Sequence, residues 1–388
     1  MRIALITYHF PESTIPLAKN MASDDCTVDY YYILQYRLPQ NLPGFDFSNA
    51  KLKFGINKLS QKDAPETFAY IGDSPVNIFI ILIYIPPKFN FLLLRNLFLT
   101  PVINKINSKN YDVINIVGQD KFLINFHEKL ICKHIAHTLH EVNNHYLNKE
   151  LKSPLLNYLF LNKVKIIVHS NEAYKKICLY KACNQALVFK IPFGLFETYC
   201  HYSPVGLLPK AISYVLFFGY IRPYKGLDIF LNAVELLKGD FPEIKFVVAG
   251  SGHIPELEDL KKSERFIVIN RHISNSELLG LIANSRFIVC PYKSGSQTGI
   301  TKLAFLYGKP LLASDVGSFN EEIIDGKNGL LVEPNSPGAI SAALTKLFKD
   351  EQLYKHMLLE IKEVQNNSSG NWKNIAQKTK AVLKDVYL

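Results

Sequence analysis

The feature that most limits what this chain can fold into is a strand-like run that stops at a glycine and turns straight into a helix. Val215 to Phe218 is short and apolar, as a buried strand is, and Gly219 ends it. Leu227, Phe230, Leu231, Val234 and Leu237 then recur at helical spacing. Arg222 and Lys225 lie between, in the loop Gly219-Tyr220-Ile221-Arg222-Pro223-Tyr224-Lys225-Gly226. Two cations there sit beside helix amides that lack an intrahelical partner, which is how a chain holds an anion and a phosphate in particular. A solvated loop that carries two cations reads the same when taken alone.

Short apolar runs alternate with helical patterns through both halves. In the first half Ile3 to Thr7, Val28 to Ile33, Val113 to Val117, Ile135 to Leu139, Ile166 to Val168 and Val188 to Ile191 read as strands. Alternation of this kind implies an α/β chain with parallel sheets covered on both faces. At 388 residues the chain exceeds the size at which one core keeps growing, so two domains are expected. Phe193-Gly194, Ser203-Pro204-Val205-Gly206 and Pro209-Lys210 punctuate the sequence between them. Residues 1–200 therefore read as one domain and 210–365 as the next, with a break at Asn366 to Gly370 before a last helical segment, 366–388. The stretch Gln35 to Ser74, rich in Pro, Gly, Asn and Lys, reads as a long loop or an insertion. Met1 to Thr7 runs straight into Tyr8-His9 without the long apolar region of a signal peptide, so it is expected to be the first buried strand. The cysteines at 26, 132, 178, 183, 200 and 290 lack paired zinc spacing and fit a reducing, cytoplasmic setting.

Charge is unevenly placed. Residues 1–200 hold 22 Lys and Arg against 15 Asp and Glu, and so carry seven of the ten net positive charges. No recognition motif accompanies them, which argues against nucleic acid. Ile78 to Ile85 and then Phe89 to Leu99, with Lys88 and Arg95, are apolar but far shorter than a bilayer span. Two arrangements fit: a helix packed on a sheet, or a segment lying on anionic lipid that brings the N-terminal domain into peripheral membrane contact.

Further motifs follow the first loop. They are Val247-Val248-Ala249-Gly250-Ser251-Gly252, Arg271 to Glu277, Pro291-Tyr292-Lys293-Ser294-Gly295-Ser296-Gln297-Thr298-Gly299, Gly308-Lys309-Pro310, Ser314-Asp315-Val316-Gly317 and Asp325 to Val332. In this order and spacing they resemble the donor domain of family 4 retaining glycosyltransferases, over roughly residues 213–350 and more loosely from His137 to Phe193. The resemblance implies the GT-B fold: two Rossmann-like domains facing across a cleft, an N-terminal acceptor domain, a C-terminal nucleotide-sugar donor domain, and a final helix packing back on the first domain. It also implies a hexosyl transfer from a UDP- or GDP-linked sugar to a saccharide or lipid-linked saccharide, in bacterial surface polysaccharide assembly at the inner face of the cell membrane.

Residue by residue, Gly219, Arg222 and Lys225 would meet the diphosphate, where fixed cations stabilise the leaving charge. Thr298, Gly299 and Ile300, with Gln297 before them, form a second anion site where a helix begins; a capped turn is the plainer reading. The resemblance places His272 and Ile273 at the nucleobase, while Ser274 with Glu277 spells a helix capping box. It places His140, in Leu139-His140-Glu141-Val142-Asn143-Asn144-His145, near the donor sugar, where an imidazole can donate a hydrogen bond or shift a proton near neutral pH. His137, His140 and His145 lack a metal-site spacing. Glu12 and Glu141 read as solvated carboxylates, with acceptor contact as the alternative.

One departure from the family matters. The usual Glu, seven residues, Glu pair falls here on Gly295 or Ser296 and on Leu303 or Ala304, which leaves the ribose and sugar hydroxyls without their usual partners. No Asp-x-Asp occurs, so the expectation is metal-independent transfer without a cofactor. An epimerase or phosphorylase on the same scaffold, or a non-catalytic nucleotide-sugar binding protein, would share these motifs.

Overall fold

The computed structural model describes residues 1–36, 38–83, 92–140, 153–180, 182–253, 255, 260, 263–294, 299–366 and 372–384, and of 92–98 the backbone alone. It divides into two units, Met1–His201 with Ser369–Leu388, and Tyr202–Ser368.

The first unit runs β1 (Arg2–Thr7), α1 (Pro11–Met21), β2 (Thr27–Gln35), β3 (Asn41–Leu42), β4 (Phe45–Asp46), β5 (Gly55–Lys58), α2 (Pro65–Ile71), β6 (Val76–Ile83), α3 (Leu92–Asn107), β7 (Val113–Val117), α4 (Ile124–Lys129), β8 (His134–Leu139), α5 (Pro154–Leu161), β9 (Lys165–Val168), α6 (Asn171–Cys178) and β10 (Val188–Lys190). Its described strands form a sheet in the order β10-β9-β8-β7-β1-β2-β6-β5. Ile3 to Ile6 at its centre are wholly buried, as strands covered on both faces must be.

Three expectations need correction. The stretch Gln35 to Ser74 is not one long loop: it holds the β3–β4 hairpin, β5 and α2. The sheet is not wholly parallel, because β5 pairs antiparallel with β6. The first apolar run of the stretch from Ile78 is not helical but the buried strand β6, parallel to β2, and the expected helix packed on the sheet is α3, in its second run. Helix α3 that follows buries Leu99, Val102, Ile103 and Ile106 in the core. Residues 84–91 lie outside the described residues.

The second unit runs β11 (Ser213–Phe218), α7 (Leu227–Glu235), β12 (Ile244–Ala249), β13 (Phe266–Ile269), α8 (Asn275–Asn284), β14 (Ile288–Cys290), α9 (Ile300–Leu306), β15 (Leu311–Ser314), α10 (Phe319–Glu322), β16 (Gly329–Val332), α11 (Pro337–Lys349) and α12 (Glu351–Asn366). The sheet order is β13-β12-β11-β14-β15-β16, parallel throughout. Its core packs Val215 and Phe217 of β11 and Phe246 of β12 against Phe230 of α7 and Leu344 and Leu347 of α11. Among the described residues no helix is long and apolar enough to cross a membrane.

The last helix, α13 (Trp372–Lys384), belongs to the first unit and packs on α1. It turns Trp372, Ile375, Ala376, Thr379 and Leu383 inward. Trp372 is 2% exposed and its indole N–H donates to the Leu195 carbonyl at 2.7 Å, while Lys165 Nζ donates to the Val382 carbonyl at 2.6 Å. Trp372→Ala should therefore destabilise the first unit by about 3–5 kcal/mol, the usual loss for a buried large aromatic. Trp372→Phe should lose about 1 kcal/mol for the hydrogen bond. Urea unfolding of both variants measures the difference.

Candidate functional site

In a parallel sheet the loops that leave the carboxyl ends of the strands share one edge. In the second unit three of these loops lie backbone against backbone. Gly219 N–H donates to the Ala249 carbonyl at 3.0 Å and Ile221 N–H to the Ser251 carbonyl at 2.8 Å, joining the loops after β11 and β12. Gly250 makes this approach possible: a Cβ there would stand 2.1 Å from the Gly219 carbonyl oxygen. On the other side a Cβ on Gly226 would stand 1.9 Å from the Pro291 carbonyl oxygen. Lys293 N–H donates to the Tyr224 carbonyl at 2.8 Å and Lys293 Nζ pairs with Asp228 at 2.6 Å, tying the loop after β14 to the same segment.

Lys225 closes a 3₁₀ turn, Pro223–Lys225, in the middle of this clamp and is only 8% exposed. Its ammonium lies 5.5 Å from the centre of the Tyr292 ring and fills the space that Gly219, without a side chain, leaves open: a Cβ there would be 2.7 Å from Nζ. Among the described residues no carboxylate pairs with it. Burial lowers its pKa to about 8, and the neighbouring Cys290 thiol, itself pushed up to about 12 by burial, supplies no counter-charge at neutral pH. A buried cation without a counter-ion is an anion site in waiting.

The structure separates the two cations that look alike in sequence. Arg222 is exposed, with its guanidinium 4.5 Å above the Tyr220 ring. His272 is exposed and Ile273 half-buried in the loop after β13, on the same sheet edge. The capping box at Ser274 and Glu277 is formed at the start of α8. Arg271 also pairs with Glu277 at 2.7 Å and, together with the cap, holds that carboxyl down at about 2, a pairing the sequence pattern does not announce. Gly299 caps α9 and Ile300 begins it. Gln297 and Thr298, with Gly295 and Ser296, lie outside the described residues. Leu303 and Ala304, the two positions on which the family's second Glu falls, are buried in α9.

In the first unit His140 follows β8 and is 4% exposed. Its ring stacks on Phe10 at 4.0 Å and 11°, and lies 4.4 Å from the His169 ring and 5.7 Å from that of Phe193. Ser13 Oγ is 3.4 Å from its Nε2. Burial, and then His169, hold its pKa well below the ordinary value, so the ring is neutral at pH 7 and the near-neutral proton shift expected from residue type does not apply. His9 and Phe10 both take positive φ, 73° and 60°, where α1 begins, which is what turns Phe10 onto His140. Nothing in the sequence marks Phe10 or Ser13 as partners. His169 could have been noticed as a polar residue just past an apolar strand.

Glu12 is not solvated. The residue is half-buried, its Oε2 is covered and finds no hydrogen-bond partner among the described residues, and burial raises its pKa to about 7. His137 is committed elsewhere: Nε2 faces the Gly118 carbonyl at 2.8 Å and Nδ1 faces His127 Nε2 at 2.8 Å, which makes His137 a donor to the carbonyl and His127 a donor to His137. Both rings are held neutral by burial. Glu141 and His145 lie outside the described residues.

Residues 212–350 match the family model Glycosyl transferases group 1. The match lies wholly within the second unit. An uncharacterized glycosyltransferase of Methanocaldococcus jannaschii is 31% identical over 152 residues, covering 37% of this chain and 40% of that protein. The phosphatidyl-myo-inositol mannosyltransferase of Mycolicibacterium smegmatis is 28% identical over 151 residues, covering 37% and 38%. The chain thus matches about two fifths of the length of these relatives. The crystal structure of Anabaena HepE in complex with UDP and glucose superposes with a TM-score of 0.68 at 16% identity, covering 99% of both chains. The fold is GT-B, and the segment that matches the group 1 model is the part that carries Lys225.

The lowered pKa of Lys225 gives a signed expectation. A bound anion favours the ammonium, so pyrophosphate should bind with proton uptake near pH 8 and lose affinity as pH rises through 8. Calorimetry in buffers of different ionisation enthalpy measures the uptake. Lys225→Met should abolish it.

Proposed function

We propose that this chain is a retaining glycosyltransferase that moves a hexosyl group from a UDP- or GDP-linked donor to a saccharide or lipid-linked saccharide. The observation that carries the reading is Lys225, a buried ammonium without a carboxylate partner among the described residues, set among clamped glycine loops in the segment that matches the group 1 model. As the nucleoside diphosphate departs, negative charge grows on its phosphate. A desolvated cation already in place stabilises that state more than the ground state. Arg222 in the same loop adds a second, exposed cation, Gly219 leaves the space that the Lys225 ammonium occupies, and the Gly299–Ile300 turn is assigned to the diphosphate on the resemblance. His272 and Ile273 are assigned to the base, and Gln297 and Thr298 to the donor on the resemblance alone.

A UDP complex of the structurally similar HepE supports the donor class, and the name of the mannosyltransferase relative supports an acceptor on a lipid. Bacterial surface polysaccharide assembly on the cytoplasmic side of the membrane is the setting we assign. His140 acts at the transferred sugar, as a neutral hydrogen-bonding ring held by Phe10 and Ser13.

Arg222→Ala with Lys225→Ala should weaken nucleoside diphosphate binding and transfer together, by about 1.5–3 kcal/mol for each charged hydrogen bond lost. Lys225→Ala alone should have the larger effect because its site is desolvated. Unchanged Kd and rate in the double variant would remove the foundation of the reading.

His140→Ala should lower kcat while leaving the nucleotide Kd near wild type. An unchanged kcat in a folded variant would withdraw His140 from the chemistry.

Transfer should also survive EDTA, because cations of the chain itself face the diphosphate. Complete loss restored by Mg²⁺ or Mn²⁺ would count against the Lys225 assignment.

A further inference from the structure

A neutral histidine has two forms that differ in which ring nitrogen holds the proton, and the groups around the ring decide between them. Two buried or half-buried rings of the first unit are decided by carbonyls, which only accept. His169 Nδ1 faces the Ile191 carbonyl at 2.7 Å, so that ring is protonated at Nδ1. His137 faces the Gly118 carbonyl through Nε2 at 2.8 Å and is protonated at Nε2.

His140 meets a hydroxyl, which can donate or accept, so its form depends on where the hydrogen of Ser13 goes. Ser13 Oγ donates to the Phe10 carbonyl at 3.1 Å, the shorter of its two contacts, and lies 3.4 Å from His140 Nε2. The same carbonyl takes the Ser13 and Thr14 amides, each at 3.2 Å, and Thr14 Oγ1 at 3.0 Å, which hold it over the first turn of α1. Turning the Ser13 hydrogen toward the imidazole would set two oxygens lone pair against lone pair at 3.1 Å, on a side chain only 4% exposed. With its hydrogen spent on Phe10, Ser13 offers His140 a lone pair. That favours a proton on Nε2, because a bare Nε2 would face the hydroxyl oxygen with a lone pair of its own.

We propose that Ser13 is a positioning residue that fixes His140 in the form protonated at Nε2, so that Nδ1 accepts a hydrogen bond from a hydroxyl of the transferred sugar. The inference deepens the transfer reading and rests on it for the sugar. Phe10 stacks on one face of the ring, and among the described residues Nδ1 makes no hydrogen bond, which leaves that nitrogen for a ligand. The direction of the bond has a consequence for specificity. A ring that accepts at Nδ1 selects a sugar with a hydroxyl hydrogen at the contacted position and rejects one whose hydroxyl is replaced by hydrogen or a methyl ether, which would leave the nitrogen unpaired.

The test is the ¹⁵N spectrum of the full chain labelled at histidine, at pH 7, where protonated and bare ring nitrogens resonate far apart and ring couplings tell Nδ1 from Nε2. His140→Gln identifies the His140 signals by their loss, while His169 and His137 serve as references for the two forms. His140 should show Nε2 protonated and Nδ1 bare. Ser13→Ala should move the ring toward the form protonated at Nδ1 and lower kcat about 10-fold, the loss of about one hydrogen bond in the transition state, with the UDP Kd unchanged. Ser13→Thr, which keeps the hydroxyl, should restore both the form and kcat. Turnover is read with whichever of UDP-glucose and GDP-mannose the wild type uses. Nδ1 protonated in the wild type overturns the proposal without any variant, and so does a Ser13→Ala spectrum equal to that of the wild type. A Ser13→Ala variant that loses UDP affinity as much as kcat overturns it too, because that is a general disturbance of the fold. Failure of the transfer reading shows elsewhere, as an unchanged kcat in His140→Ala, while the spectrum still reports which nitrogen of the ring Ser13 protonates.

Discussion

Backbone lying directly on backbone is the constraint from which the second unit's site follows. Gly250 against Gly219 and Gly226 against Pro291 let three strand ends close on one another with no side chain between. Lys225 is carried into that closure by a 3₁₀ turn and is buried there. Keeping its proton there costs roughly 3 kcal/mol, taking the drop from 10.5 to about 8 at 1.36 kcal/mol per unit. The glycines thus set the electrostatics of the site, although none of them carries charge.

The first unit meets the same burial with the opposite result. Around His140 the wall is aromatic, from Phe10, His169 and Phe193, and the ring stays neutral. Glu12, one residue before Ser13, is likewise pushed toward its neutral form, with a pKa of about 7. Desolvation without a compensating charge acts on acid and base alike, each toward its uncharged state.

Legibility followed length and regularity. The six strands expected in the first half lie where β1, β2, β7, β8, β9 and β10 are found, because each is a short apolar run with a polar stop. Strand β6 escaped because an unbroken apolar run from Val76 to Ile83 has no period to separate strand from helix. Strands β3, β4 and β5 escaped because two to four residues carry no pattern at all. In the second unit the alternation held through β16, and the capping box at Ser274 was readable because it is a purely local device.

The sequence by itself determined the parallel α/β class, the order of the strand-to-helix loops, the GT-B resemblance and the candidacy of Arg222, Lys225 and His140. These are properties of neighbours along the chain, where periodicity, turn chemistry and spacing act. Only the tertiary structure decided that Lys225 faces inward and Arg222 outward, that His140 is neutral and that the Oε2 of half-buried Glu12 is covered. Each of those outcomes depends on groups brought from distant strands: Tyr292 and Gly219 around Lys225, Phe10 and His169 around His140, Gly44 and Thr198 near Glu12. Desolvation is a property of what surrounds a group in space, and a sequence does not specify that until the sheet has set its strand order.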